Sequence, residues 1–288
     1  MTSVLEQTFV IDCESESLVA VLHPARTEAL AQGIGVVIVV GGPQYRVGSH
    51  RQFVLTARAF ANAGFPVLRL DLRGMGDGVG PQRSFERTAA DIRCAIDALC
   101  AAVPGTSGIA LLGWCDGASA AMVYAPLDRR VTHLILANPW VRTGHTAAST
   151  VLRYYYVRRI LQRSFWAKLL RLRLNPLRAA GDLAENLRGA VNRPDGTAAA
   201  NYVDRMRDGL AAFRGKSLCV ISGQDLTAKE FVALINTNRE WRTTVARAAF
   251  ARVDFPSADH TFSTRTDLDA MNDRCIRWLG SAVSGLSS

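Results

Sequence analysis

Leu111-Leu-Gly-Trp-Cys-Asp-Gly117 is the stretch that decides how this chain is read. Glycines stand two residues before and two residues after Cys115. A short β-run, Ile109 to Leu112, leads in, and a helix-like run, Ala118 to Tyr124, leads out. A sharp strand-to-helix turn needs residues without a Cβ at Gly113 and Gly117. Such a turn lifts the central side chain into an exposed position at a helix N-terminus, where negative charge is favoured and a thiol is expected to ionise more readily. The plain alternative is a cysteine acting as a small buried hydrophobe. The rest of the chain decides between them.

The elements around this turn alternate. Residues 5–11 and 17–22 read as two strands of a hairpin at a sheet edge. Gly35 to Val40 is a continuous apolar, β-branched run, as in a strand buried on both faces. A helix over Arg51–Ala63, a strand over Pro66–Leu70 and a glycine-rich loop over Asp71–Gly80 follow. Next comes a long helix over Ser84–Ala102, with Ser84 as its N-cap, then the strand into Cys115, a helix, and a strand over Val131–Leu136. Alternation stops at Asn138-Pro139. It resumes with a strand over Lys216–Ile221, a helix over Thr227–Trp241, a strand over Ala249–Phe255 and a helix over Asp267–Trp278. This order predicts a mostly parallel eight-stranded sheet flanked by helices. A helical insertion after the sixth strand makes it the layout of an α/β-hydrolase core with a lid. The expected division is a core from 1–139 and 201–288, with a lid from 140–200.

Composition narrows the class. The chain has 288 residues and a net charge of +9, with 49% hydrophobic residues, enough for one large core. No apolar run is long enough for a transmembrane helix, the longest being Gly33 to Val40. Met1 to Val10 lacks the pattern of a signal peptide. The six cysteines are scattered, without CxxC spacing, so neither a zinc site nor a redox dithiol is expected. Free thiols without an export signal point to the cytoplasm. Between Trp140 and Arg193 eleven Lys or Arg face only two acids, so the excess charge lies in the insertion.

A cysteine nucleophile needs a base, and the base an orienting acid; in this fold the chain order is nucleophile, acid, histidine. Of His23, His50, His133, His145 and His260, only His260 follows a late strand, just before the last helix. Asp225, after the Lys216–Ile221 strand, is the favoured acid. The plain alternative is that it simply N-caps the next helix. Asp259, adjoining His260, is the rival. The expected oxyanion donors are the Asp116 amide and one from the loop Gly41-Gly-Pro-Gln-Tyr45; Pro43 has no N–H, which leaves Gly42 or Gln44. Trp114, Tyr45 and Trp140 are expected to contact substrate. The glycines of Gly74-Met-Gly-Asp-Gly-Val-Gly80 read as tight turns rather than a nucleotide loop, with Asp71 and Arg73 bracing them. No metal or organic cofactor is implied.

The motifs Gly41-Gly-Pro-Gln-Tyr-Arg46, Leu70-Asp-Leu-Arg-Gly-Met-Gly-Asp77, Gly113-Trp-Cys-Asp-Gly-Ala118, Ser222-Gly-Gln-Asp-Leu-Thr227 and Ala258-Asp-His-Thr-Phe262 together resemble the exosortase A system-associated hydrolases, type 1. The resemblance covers most of the chain, the lid least. It implies an α/β-hydrolase fold and a triad of Cys115, Asp225 and His260. It also implies a genetic setting of exopolysaccharide production and protein sorting at the inner membrane. It supplies no substrate. Cysteine in place of the usual serine admits acyl transfer beside hydrolysis.

The insertion interleaves Tyr154, Tyr155, Tyr156, Phe165 and Trp166 with arginines. It reads as a solvated lid over a lipid-like acyl pocket, as a segment resting on the inner-membrane surface, or as a site for anionic polysaccharide, through residues 140–193. No recognised motif suggests nucleic acid. Two functions stand at this point: cleavage or transfer of an acyl group from an ester or thioester, or a non-catalytic scaffold on the same fold.

Overall fold

The computed structural model describes residues 6–26, 33–42, 44–141, 196–247 and 249–284. Its strands are β1 Gln7–Cys13, β2 Glu16–His23, β3 Ile34–Val39, β4 Val67–Leu70, β5 Gly108–Trp114, β6 Val131–Ala137, β7 Lys216–Ser222 and β8 Phe250–Phe255. They form one sheet in the order β1-β2-β4-β3-β5-β6-β7-β8. The β1–β2 and β2–β4 pairs are antiparallel and every other pair is parallel. This is the α/β-hydrolase fold. The central strands β3 and β5 are buried at every residue, which is why their sequences are unbroken apolar runs, whereas edge strands β1 and β8 keep exposed positions.

The main helices are α1 Gln52–Asn62, α2 Ala89–Ala102, α3 Asp116–Tyr124, α4 Gly196–Ala212, α5 Leu226–Thr237, α6 Arg239–Val245 and α7 Arg265–Ser284. Right-handed crossovers fix their sides of the sheet. The chain moves one way from β3 to β4 and the other way from β4 to β5, so α1 and α2 lie on opposite faces. α1 packs with α7, and α3 packs with α2 and α4. Strand C-termini in a parallel sheet all end on one edge, and the loops after β3, β5, β6, β7 and β8 gather there.

Three boundaries differ from expectation. The helix expected from Ser84 is split: a 3-10 turn occupies Phe85–Arg87, Ser84 makes no side-chain cap, and α2 begins at Ala89. Thr88 Oγ1 donates to the Phe85 carbonyl (2.7 Å), so the hydroxyl serves the turn. The helix expected over Thr227–Trp241 breaks at Asn238, whose side chain caps α6 by accepting from the Glu240 and Trp241 amides. α4 starts at Gly196 and runs across the expected lid boundary at 200. The lid expected over 140–200 otherwise lies outside the described residues, apart from Trp140 and Val141 at its start. Among the described residues no helix is long and apolar enough to cross a membrane.

Candidate active site

Cys115 sits between β5 and α3 with φ 56° and ψ −123°. A non-glycine residue at positive φ carries about 1–3 kcal/mol of backbone strain, held here by its surroundings. Its N–H donates to the Ala137 carbonyl (2.9 Å), and its carbonyl accepts from the Ala118 (3.0 Å) and Trp140 (3.2 Å) amides. The flanking glycines serve close approach. A Cβ on Gly113 would lie 2.5 Å from the Ala118 Cα, and one on Gly117 would lie 2.4 Å from the Val39 carbonyl oxygen. Gly117→Ala is therefore expected to destabilise the fold by about 2 kcal/mol or more, since the clash is with strand backbone that cannot rotate aside. A urea melt checks this, and an unchanged midpoint would contradict it.

His260 Nδ1 lies 2.7 Å from Asp225 Oδ2. Cys115 is a second group that acts electrostatically on the imidazole. Burial works against a charged His260, but the hydrogen bond to the Asp225 carboxylate, helped by Cys115, outweighs it, and its pKa is raised to about 10. Of the three residues read from the sequence, His260 and Asp225 are joined by a hydrogen bond, and Cys115 stands at the strained turn before α3.

Asp225 combines the two roles that were weighed as rivals. It is the N-cap of α5, accepting from the Thr227 (3.0 Å) and Ala228 (3.1 Å) amides, and the same carboxylate holds His260. The two amides of the helix N-terminus keep it aimed. Asp259 is spent within its own loop, accepting from the Thr261 (3.1 Å) and Ser263 (3.0 Å) amides and the Ser263 hydroxyl. It shapes the turn that presents His260 but does not orient the ring.

The other histidines have structural surroundings. Burial lowers His23 and His133 to about 4. His23 accepts from Arg69 Nε (2.7 Å), and His133 packs edge-on against Trp278. His50 is exposed, and His145 lies outside the described residues.

Sequence reasoning missed Asn138. It is fully buried at φ 48°, directly after β6. Its side-chain amide donates to Ser222 Oγ (2.8 Å) and to the His260 carbonyl (3.1 Å), while its oxygen accepts from the Ser222 amide (2.8 Å). It ties the ends of β6 and β7 to the histidine loop. The only signal was an Asn at the point where alternation stops, a residue type that tolerates positive φ.

Trp114 is a correction. Its side chain is 2% exposed and is used internally, its Nε1 donating to the His260 carbonyl (3.0 Å) and its ring packing edge-on against Phe53 and Phe262. It braces the histidine loop and has no surface left for substrate. Trp140 is half-buried beside the nucleophile, stacked on Tyr202 (5.3 Å) and edge-on to Phe85 (5.6 Å). Tyr45 is exposed, with the Arg46 guanidinium 4.3 Å from its ring centroid.

The donor set also differs in part. Gln44 N donates to the Gly42 carbonyl (2.8 Å) and is not free for an oxyanion. Gly42 N donates to the Asp116 side-chain carboxylate, which lies in the same small space as Gly117 N. Burial raises the Asp116 pKa against the opposing pull of these donors. Asp71 and Arg73 are the braces expected: Asp71 accepts from the Arg46 (2.5 Å) and Asp77 (3.0 Å) amides, and Arg73 Nε donates to Asp91 (2.6 Å). Among the described residues no group of three or more His, Cys, Asp or Glu is placed to hold a metal ion.

The family described as serine aminopeptidase, S33, matches residues 34–226, a span that contains both Cys115 and Asp225. The chain belongs to this S33 hydrolase family. As an S33 member it is built like solved esterases. The Pyrococcus furiosus esterase Pf2001 superposes with a TM-score of 0.64 at 12% identity, over 97% of this chain and 91% of that one. Est1E from Butyrivibrio proteoclasticus, solved with ferulic acid bound, gives 0.64 at 17% identity over 96% and 99%. XC6422 from Xanthomonas campestris, described as an α/β serine hydrolase without lid, gives 0.57 at 13% identity over 95% and 93%. At these identities the likeness is one of fold. No curated protein matches the chain in sequence.

Proposed function

We propose that this S33 member hydrolyses a carboxylic ester or thioester through a Cys115–His260–Asp225 triad. The observation that supports this is the hydrogen bond of His260 to a helix-capped Asp225, in a chain whose strained strand-to-helix turn carries Cys115, a group that raises the His260 pKa. The thiolate of Cys115 attacks the carbonyl carbon, forming the C–S bond and moving the carbonyl π pair onto oxygen. Collapse expels the alkoxide or thiolate, which takes the proton from His260 and leaves an acyl-thioester enzyme. His260, now neutral, removes a proton from water, which cleaves the thioester. An alcohol or amine in place of water would give transfer. The esterase neighbours support an ester substrate, and Trp140, Tyr202 and Phe85 offer an aromatic wall for its acyl part.

The resemblance of five motifs to the exosortase A system-associated hydrolases supports a substrate made during exopolysaccharide production. A chromosomal neighbourhood without exopolysaccharide genes would remove that refinement and leave the chemistry standing.

Iodoacetamide labelling tests the nucleophile. Cys13, Cys219 and Cys275 are buried and pushed up to about 12 by that burial, so they are expected to stay unlabelled at neutral pH. Rapid alkylation at Cys115 at pH 7, read by peptide mass spectrometry, is the expected result. A Cys115 that reacts no faster than Cys94 or Cys100 would refute the triad.

A further inference from the structure

We propose that the Asp116 carboxylate is a plug in the oxyanion nest, occupying in the resting enzyme the Gly42 N–H that the tetrahedral intermediate needs. This rests on the Cys115 reading above. Gly42 N donates to Asp116 Oδ1, and Gly117 N lies in the same small space, since a Cβ on Gly41 would be 2.5 Å from Asp116 Oδ1 and 3.0 Å from Gly117 N. Gly42 N is one of the donors expected for the developing oxyanion, and the carboxylate that takes it belongs to Asp116, whose own N–H is the other. A carboxylate oxygen matches the oxyanion in charge and size, so the nest is filled by an internal mimic of what it exists to bind.

The position of the plug is fixed by the chain. Asp116 is the residue after the nucleophile and the first of α3, so its side chain starts beside the nest. Gly41 leaves room for it, since a Cβ there would lie 2.5 Å from Asp116 Oδ1. On the Gly42 side the nest is open, because a Cβ built there would meet no atom within 4 Å. A carbonyl oxygen can therefore enter once the carboxylate has turned away, and Asp116 is half-buried rather than locked in.

The consequence is selectivity through displacement. A neutral carbonyl is a weaker acceptor than a carboxylate and cannot evict it alone. Small acyl esters, which bring little binding energy, meet a closed nest. A larger substrate gains enough from contacts elsewhere to offset the displacement and complete the site. Asp116 thereby determines specificity in favour of large acyl substrates, with no change in the chemistry at sulfur.

Two electrophiles separate this from a simple charge effect on the thiol. Turnover of p-nitrophenyl acetate builds an oxyanion; alkylation by iodoacetamide displaces iodide at a saturated carbon and builds none. Asp116→Ala is expected to raise kcat/KM for p-nitrophenyl acetate by about tenfold or more, given that a single oxyanion donor carries roughly 10²-fold. Asp116→Asn, which keeps the shape and removes the charge, should show a smaller rise and serves if the alanine variant folds poorly. The plateau rate of iodoacetamide labelling at Cys115 should change by less than about threefold, because no oxyanion donor takes part. Unchanged or lower ester turnover in the folded variants overturns the plug. So does an equal rise with both reagents, which would mean that the carboxylate acts only through the charge on sulfur. A Cys115 inert to iodoacetamide in the wild type overturns the nucleophile and the plug together, whereas a reactive Cys115 with turnover indifferent to Asp116 overturns the plug alone.

Discussion

Cys115→Ala is expected to lower kcat for a turned-over ester by about 10⁴-fold or more, because a triad without its nucleophile keeps only binding and oxyanion stabilisation. The fold should barely notice. Cys115 is half-buried, alanine meets the same backbone strain at φ 56°, and the Ala137, Ala118 and Trp140 hydrogen bonds are made by main chain. A stability change under about 1 kcal/mol is expected. The substitution also reports on the neighbour. Cys115 is one of the two partners that raise His260, so the imidazole should titrate below about 10 in the alanine variant, as followed by NMR. A variant that still turns over ester at the wild-type rate would end the assignment of Cys115. Full loss of turnover with an unmoved His260 titration would mean that thiol and imidazole do not interact in solution. Cys115→Ser separates the chemistry further. A serine hydroxyl needs a neutral histidine to deprotonate it, so the residual activity should be far below wild type and should rise with pH as His260 loses its proton.

Much of the architecture was legible because burial writes itself into composition. β3 and β5 are buried at every residue and read as unbroken apolar runs, and the β1–β2 hairpin shows as two short strands before them. The pairing of His260 with Asp225 was legible from chain order, since the parallel sheet sends the loops after β5, β7 and β8 to one edge. What failed to show depends on single polar side chains acting across long separations. Asn138 reaches Ser222 across 84 positions and the His260 carbonyl across 122, and no local pattern announces such partners. Trp114 looked available because it adjoins the nucleophile, but along a strand neighbouring side chains point to opposite faces, and its own is enclosed by Phe53 and Phe262. Thr88 and Asn238 each break a helix that apolar periodicity would continue, because their side chains satisfy backbone groups that another helical turn would have used.

Asp225→Asn is expected to cost about 10³–10⁴-fold in kcat while keeping the N-cap of α5, because one carboxylate does two jobs and asparagine can do only one. As an N-cap Asn is about equal to Asp, so the Thr227 and Ala228 amides keep their acceptor. As a partner to His260 Nδ1 it carries no charge and can present an N–H, which favours the wrong tautomer. Asp225→Ala should lose the cap as well and be destabilised by about 1 kcal/mol more than the Asn variant. pH gives a second readout. His260 is raised from 6.5 unfolded to about 10 folded, so its contribution to stability is complete below pH 6.5 and is lost as pH rises through about 10. Removing the Asp225 charge removes part of that rise, so the wild-type melting temperature should fall more steeply between pH 7 and 10 than that of Asp225→Asn. Parallel melting curves across that range would show that Asp225 does not hold a charged His260. Wild-type turnover in the Asn variant would leave the carboxylate as a helix cap and nothing more.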